Sequence, residues 1–117
     1  MADQGRRVRV AAAGDVPPGE GRVVEAGGLT VALFNVDGRY YAIDNACPHR
    51  GGPLGEGDLD GLVVSCPWHA WRFCVKDGTW ADAPQAKLKL DTYAVRVEGD
   101  EIQVHVPDPP QRAGSAQ

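Results

Sequence analysis

The sequence has few of the residues that mark several common classes of protein. Only 3 cysteines occur among 117 residues, and this odd number fits a disulfide framework poorly and a reducing cytoplasm better. No apolar run approaches the roughly 20 residues that a membrane-spanning helix needs. Aspartate and glutamate (16) outnumber lysine and arginine (12), and the net charge of -4 argues against nucleic acid or an anionic membrane as a partner.

The N-terminal segment offers little support for export. Arg6-Arg7 is similar to a twin-arginine signal, but the apolar stretch that follows Arg9 runs only from Val10 to Ala13. Because an export signal needs a longer apolar region, we expect a cytoplasmic protein.

Glycine and proline, in contrast, are abundant. The 15 glycines and 9 prolines are scattered along the chain, which indicates many turns between short strands and an all-β fold. A chain of this length predicts one domain over residues 1–117, with frayed ends at about 1–5 and 107–117. The expected strands are Val8 to Ala11, Arg22 to Ala26, Leu29 to Val36, Arg39 to Asp44, Leu62 to Ser65, Trp71 to Val75, Thr92 to Glu98 and Glu101 to Val106.

Two hairpins frame the chain, with turns predicted at Asp37-Gly38 and Gly99-Asp100. Between the hairpins, residues 46–84 are rich in Gly, Pro, Cys, His and Trp. We therefore expect an antiparallel β-sandwich base of two sheets and an inserted, loop-rich lobe that carries the chemistry.

The lobe contains two segments that each offer one thiol and one imidazole. Cys47 and His49 lie in the first, Cys66 and His69 lie in the second, and 16 residues separate His49 from Cys66. This C-x-H-x16-C-x2-H pattern resembles the Rieske [2Fe-2S] family closely. The resemblance implies one [2Fe-2S] cluster in an antiparallel Rieske-type fold, with Cys47 and Cys66 on the inner iron and His49 and His69 on the outer iron.

Other residues of the two segments suit such loops. Pro48 and Pro67 each follow a cysteine and restrict the backbone there, while Gly51 and Gly52 would let the backbone approach the cluster and point amides at its sulfurs. A structural zinc site is the alternative, but zinc sites usually open with ligands two to four residues apart, and Cys47 and His49 have one residue between them.

Several nearby residues have a simpler reading than a role in the site. We expect Cys74 to be a packed, small residue, with a redox or alternative-ligand role as the lesser possibility. His105 alternates with Val104 and Val106 and should face solvent. Trp68 could shield the cluster or contribute to a docking face.

Two further groups surround the predicted loops. Three aromatic residues (Trp71, Phe73 and Trp80) fit packing in the core or the lobe. Three basic residues (Arg50, Arg72 and Lys76) could form an electropositive rim, although solvated charges are the commoner reading. Ala83-Pro84 falls where the family has a third loop, which carries a proline and covers the cluster.

The resemblance also implies a function. The chain has 3 histidines, and with two on the cluster it cannot build the two-histidine, one-carboxylate iron site of an oxygenase. We therefore expect a soluble, monomeric one-electron carrier without a catalytic site, passing electrons from a flavoprotein reductase to a terminal oxygenase. A small subunit of an assimilatory nitrite-reductase-like complex is the alternative, and a stand-alone Rieske protein is a third. Quinol oxidation is disfavoured because Gly52 and Trp68 replace the extra cysteines of the respiratory Rieske proteins.

The sequence also predicts the reduction potential. High-potential members of the family have hydroxyl donors two and four residues after the second histidine, where this chain has Trp71 and Phe73. Because hydrogen bonds to the sulfurs stabilise the reduced cluster, we expect a potential near the low end of the Rieske range, about -150 mV. The reduction potential should be nearly constant from about pH 6 to 8, because neutral imidazole is a poor acid and the ligand histidines should keep their protons in this range. A value above about +100 mV in protein-film voltammetry, or a clear slope below pH 8, would contradict this.

Overall fold

The computed structural model describes residues 6–46, 52–68, 71–83, 85 and 88–106. Its elements are short strands and two single-turn 3-10 helices (Ala13–Asp15 and Leu54–Glu56). The strands are β1 (Arg6–Ala12), β2 (Gly21–Ala26), β3 (Leu29–Val36), β4 (Arg39–Asp44), β5 (Asp58–Asp60), β6 (Val63–Ser65), β7 (Arg72–Cys74), β8 (Thr92–Tyr93), β9 (Val95–Glu98) and β10 (Glu101–Val106). Within this part of the chain, no helix is long and apolar enough to cross a membrane.

Two antiparallel sheets form the base, as the sequence predicts. One has the strand order β1-β10-β9 and the other β2-β3-β4-β8. Their facing sides bury one apolar cluster, to which β3 contributes Val31 and Leu33 and β10 contributes Ile102 and Val104. Burial of each such side chain stabilises the fold by about 1.5–3 kcal/mol. Residues two apart along each strand point to the same face, so both pairs face this cluster.

The turn between β3 and β4 has the backbone expected of a two-residue hairpin. Asp37 and Gly38 have φ angles of 53° and 92°, and Val36 pairs directly with Arg39. A turn with two positive φ angles matches the right-handed twist of the flanking strands, and aspartate followed by glycine is suited to it. The sequence prediction of this hairpin is confirmed.

The inserted lobe is rich in loops, as expected, and also contains a small third sheet. Besides the two strands expected there, residues 58–60 form β5, and the three strands pair in the antiparallel order β5-β6-β7. We missed β5 because two of its three residues, Asp58 and Asp60, are poor strand formers, and Asp60 pairs with Val63 across a turn at Gly61.

The expected strand from Thr92 to Glu98 is also wrong in one respect. The chain changes sheets at Ala94: β8 pairs with β4, and β9 pairs with β10. The Ala94 carbonyl accepts a hydrogen bond from the His105 N–H at 2.9 Å. On β9, Val97 is 45% exposed.

Strand β3 connects the base to the lobe because both of its faces are buried. Val31 and Leu33 face the base, while Ala32 and Phe34 belong to a second apolar cluster that includes Phe73 from the lobe. The lobe sheet is thereby held against the base through a shared strand. That the whole of 1–117 forms a single domain stays a prediction, and the frayed ends expected at 1–5 and 107–117 lie outside the described residues.

The turn after β7 depends on one carboxylate. Asp77 Oδ1 accepts hydrogen bonds from the Thr79 backbone N–H at 3.0 Å and from the Thr79 hydroxyl at 2.7 Å. These bonds favour the charged form and hold the pKa of Asp77 below its ordinary value. The stability they provide is present above the pKa of the unfolded chain and is lost as the pH falls through the lower folded value.

We expect Asp77→Ala to lower the free energy of unfolding by about 1 kcal/mol at pH 7 because two hydrogen bonds are lost. The difference from the wild type should begin to shrink below about pH 4, where the unfolded chain takes up the proton, and should be lost as the pH falls through the lower pKa of the folded protein. Urea unfolding at pH 7 and pH 3 measures both effects. Asp100→Ala, at an exposed hairpin turn, is the control, and an equal loss in the two variants would contradict the assignment.

Candidate metal centre

The first predicted ligand loop is closed at its base. Ala46 and Pro53 form an isolated antiparallel bridge. On one side of it, Asn45 accepts two hydrogen bonds: its backbone carbonyl from the Leu54 N–H at 2.8 Å, and its side-chain Oδ1 from the Gly55 N–H at 2.9 Å. The two ends of the segment that contains Cys47 and His49 therefore lie side by side.

The second predicted loop connects β6 and β7. The Cys66 N–H donates to the Trp71 carbonyl at 2.7 Å, which continues the β6–β7 ladder one step beyond Ser65 and Arg72. Cys66 is only 2% exposed, whereas Pro67 and Trp68 at the loop tip are exposed. A buried thiol thus lies directly before a solvent-exposed tip.

The two loops meet where Gly52 contacts Cys66. A Cβ placed on the buried Gly52 would lie 2.7 Å from Cys66 Sγ and 3.2 Å from Cδ2 of Trp68. Only a residue without a side chain allows this approach, as the sequence predicts for Gly52. The backbone of the first loop is therefore packed against the sulfur of the second.

Of the four predicted ligands, only Cys66 is among the described residues. Cys47, His49 and His69 lie outside them, as do Pro48, Arg50, Gly51 and Pro84. Among the described side chains, no group of three or more His, Cys, Asp or Glu residues could hold a metal ion. The ligand set Cys47, His49, Cys66 and His69 stays a prediction.

The described part of the site fits an iron–sulfur cluster. The contact between Gly52 and Cys66 Sγ brings the bases of both ligand loops together, and a donor set of two thiols and two imidazoles is that of a Rieske centre. Beside Cys66 an open cleft of about 560 Å³ is lined by Glu56, Gly57, Asp58, Ser65, Cys66, Pro67 and Trp68.

Cys74 lies on the other face of the lobe sheet. Phe73 pairs with Val64, and Cys66 follows Val64 by two residues, so these three side chains share one face. Cys74 pairs with Val63 and points the opposite way. Cys74 is half-buried, and this placement supports its predicted packing role.

The basic rim is partly neutralised. Arg72 forms an ion pair with Asp82, and its Nε donates to Asp82 Oδ1 at 3.0 Å. This contact raises the pKa of Arg72 and lowers that of Asp82. Lys76 is exposed, so the simpler reading of solvated or paired charges is favoured.

The lobe instead presents an acidic side that the sequence analysis missed. Glu56, Asp58 and Asp60 are all exposed, and the first two line the cleft beside Cys66. The signal was available, since residues 55–61 contain three acidic residues and no basic one. Next to this side, Trp68 is 60% exposed, which favours the docking interpretation of Trp68 over the shielding one.

The remaining aromatic residues pack in the lobe, as expected. Trp71, Phe73 and Trp80 belong to the second apolar cluster or contact it. The rings of Trp71 and Trp80 are stacked, with centroids 4.4 Å apart and planes 16° from parallel. His105 is half-buried and alternates with the buried Val104 and Val106, as the strand pattern predicts.

Comparisons with known proteins agree with this fold and site. Residues 6–104 match the family described as the Rieske [2Fe-2S] domain. The 3-phenylpropionate/cinnamic acid dioxygenase ferredoxin subunit of Escherichia coli (strain K12) is 40% identical over 103 residues, which cover 87% of this chain and 95% of that protein.

Two solved structures extend the comparison. A chain from the complex of reduced oxygenase and oxidized ferredoxin in carbazole 1,9a-dioxygenase is 35% identical, with a TM-score of 0.76 and coverage of 85% of this chain and 92% of that one. A Mycobacterium tuberculosis protein named as the small subunit of an NADH-dependent nitrite reductase is 28% identical, with a TM-score of 0.80 and coverage of 89% and 97%.

These matches show that the chain belongs to the Rieske [2Fe-2S] family. Within that family it is similar to the ferredoxins of dioxygenase systems, as the sequence predicts. Membership of the family implies a [2Fe-2S] cluster.

We expect Gly52→Ala to lower the iron content to less than about half of the wild-type value, because the new Cβ would overlap Cys66 Sγ. Iron and acid-labile sulfide analysis of the purified protein measures the loss. Gly14→Ala is the matched control, since a Cβ there has no neighbour within 4 Å. Full iron content in Gly52→Ala would mean that the close approach is not needed to hold the cluster.

Proposed function

We propose that this chain is a one-electron carrier that accepts electrons from a flavoprotein reductase and delivers them to a terminal oxygenase. The observation that carries the proposal is the position of Cys66, whose buried thiol lies two residues from the exposed Trp68 at the surface. This arrangement keeps the predicted ligand Cys66 away from solvent and leaves a short path for the electron to a docked protein.

The four residues Cys47, His49, Cys66 and His69 would hold one cluster. When bound, a Rieske cluster exchanges one electron at a potential between about -150 and +300 mV. The chain then has three tasks: Cys66 is kept from solvent, the Gly52 backbone lies against its sulfur, and Trp68 offers an apolar contact to a partner.

The related proteins support the choice of partners. The similar carbazole 1,9a-dioxygenase ferredoxin is described in complex with its oxygenase, and the similar Escherichia coli protein is named a dioxygenase ferredoxin subunit. We propose equivalent protein partners here, with neither nucleic acid nor membrane, a monomeric carrier, and a cytoplasmic location in keeping with its odd number of cysteines.

The chain itself would catalyse no reaction. Its 3 histidines leave only His105 once two are assigned to the cluster, and one histidine cannot complete a two-histidine, one-carboxylate iron site. A small subunit of a nitrite reductase is the second candidate, favoured by the similar Mycobacterium tuberculosis fold. Such a subunit should copurify from native extract with a sirohaem enzyme, whereas a ferredoxin should purify alone.

The test of the proposed function uses the purified holoprotein with the reductase and oxygenase of a carbazole dioxygenase system. We expect the reductase to reduce the cluster and the oxygenase to reoxidise it, each followed by the visible and EPR spectra of the cluster. A cluster that neither protein reduces or reoxidises would contradict a carrier role in this class of system.

Within that assay, Trp68→Ala should slow reoxidation by the oxygenase about ten-fold at subsaturating partner concentration, because removal of a central aromatic contact costs more than 1 kcal/mol of binding energy. The reduction potential should not change. Val97→Ala removes another exposed apolar side chain, 45% exposed on β9, and should have no effect. Equal rates in wild type and Trp68→Ala would exclude Trp68 from the docking face.

A further inference from the structure

The sheet β1-β10-β9 has an apolar inner face and a charged outer face. Ile102 and Val104 of β10 are buried in the apolar cluster between the two base sheets. His105 alternates with them and therefore projects to the outer face. Arg7 of β1 pairs directly with His105, so the two side chains are neighbours on this face. Arg7 is exposed and His105 is half-buried.

Two of the three arginines on the outer face are paired with glutamates of the same face. Arg9 Nε lies 3.5 Å from Glu101 Oε2, and Arg96 Nη2 lies 3.0 Å from Glu98 Oε2. Arg7, in contrast, forms no ion pair with any residue that the structure describes. The face thus provides a carboxylate for two of its arginines and none for the third.

Arg7 lines a cleft at one end of this face. The opening has a volume of about 280 Å³ and is lined by Arg7, Ala94, Val95, Arg96 and His105, none of them acidic. The His105 N–H donates to the Ala94 carbonyl at 2.9 Å, so Arg7, His105 and Ala94 form one row across the sheet. We call this opening the arginine cleft.

The charge balance of the arginine cleft determines which ligand fits it. Arg96 is already neutralised by Glu98, and histidine is counted as neutral at pH 7, so the charge of Arg7 is the one left uncompensated. A single negative charge would balance it. A guanidinium presents parallel N–H groups that match the two oxygens of a carboxylate, and the adjacent imidazole of His105 offers a further hydrogen bond.

We propose that the arginine cleft binds a small organic carboxylate, held by the guanidinium of Arg7 with the imidazole of His105 as a second hydrogen-bond partner. The ligand takes at Arg7 the place that a glutamate takes at each of the other two arginines of the face. Ala94 and Val95 complete the lining without adding charge.

The arginine cleft is remote from the lobe. It opens on the side of its sheet that faces away from the second base sheet, whereas the lobe packs on the far side of that second sheet, against Ala32 and Phe34. Two apolar layers therefore separate the ligand from the lobe. For this reason the inference does not rest on the proposed electron-carrier function, and a bound carboxylate leaves Trp68 accessible to a partner.

Benzoate is the probe, and benzamide, which has a similar shape without the charge, is the control ligand. The test uses ¹⁵N-histidine-labelled holoprotein at pH 7 and constant ionic strength, with the NMR signals of His105 assigned from His105→Gln. We expect benzoate to shift these signals to saturation with a Kd of about 1–10 mM, a typical affinity for so small a ligand. Benzamide should cause no saturable shift. A benzoate titration without saturation, or an equal effect of benzamide, would overturn the proposal.

Arg7→Gln should weaken benzoate binding about ten-fold, because a hydrogen bond between charged groups is lost. Arg9→Gln is the matched control, since Arg9 lies on the same strand and the same face but does not line the cleft. Its benzoate affinity should equal that of the wild type. Unchanged binding in Arg7→Gln, or an equal loss in the two variants, would show that Arg7 does not hold the ligand.

Two further titrations separate a small carboxylate from other anions. Inorganic phosphate should bind more weakly than benzoate, and tighter phosphate binding would overturn the assignment to a carboxylate. Asp108 follows β10 in the sequence, so Asp108→Asn tests whether the chain supplies the anion itself. We expect this variant to bind benzoate as the wild type does. Binding seen in Asp108→Asn alone would assign the cleft to the chain's own carboxylate and overturn the proposal.

Discussion

The contact between the backbone of Gly52 and the sulfur of Cys66 constrains the rest of the site. A side chain on Gly52 would place its Cβ 2.7 Å from Cys66 Sγ, so the two loop bases can be this close only with glycine at that position. Each loop is in turn closed at its own base, the first by the bridge between Ala46 and Pro53 and the second by the Cys66 N–H bond to Trp71. The bases of the two loops are therefore fixed close together, which suits the binding of one cofactor between the loops.

The lobe that carries these loops is held against the base because its apolar residues pack on β3, a strand of the base. Ala32 and Phe34 pack towards the lobe, and Val31 and Leu33 pack towards the base sheets. β3 is buried on both faces, so a displacement of the lobe sheet would expose apolar surface of the second cluster around Ala32 and Phe34. Such coupling suits an electron carrier, since a fixed cofactor environment reduces the structural change that accompanies each electron transfer.

The side chains of the lobe strands alternate between two faces of the sheet. Cys66, Trp71 and Trp80 share one face of the sheet, while Cys74 lies on the other. Cys66 and Cys74, only eight positions apart, therefore have different surroundings.

Charge is distributed unevenly on the lobe. Arg72 is paired with Asp82, whereas the exposed carboxylates of Glu56, Asp58 and Asp60 lie near the exposed Trp68. A partner that contacts Trp68 would meet acidic rather than basic neighbours.

The sequence by itself determined the all-β class, the Asp37-Gly38 hairpin and the positions of the predicted ligands, because period-two alternation, turn residues and ligand spacing are local properties. It also indicated Gly52, since glycine beside a ligand suggests close approach. Only the tertiary structure decided that β5 exists, that the chain changes sheets at Ala94, and that Trp80 and Cys66 share a face. These features depend on pairing between residues distant in sequence: the bridge between Phe73 and Trp80 places an indole on the same face of the sheet as a cysteine fourteen positions earlier, which no local pattern records.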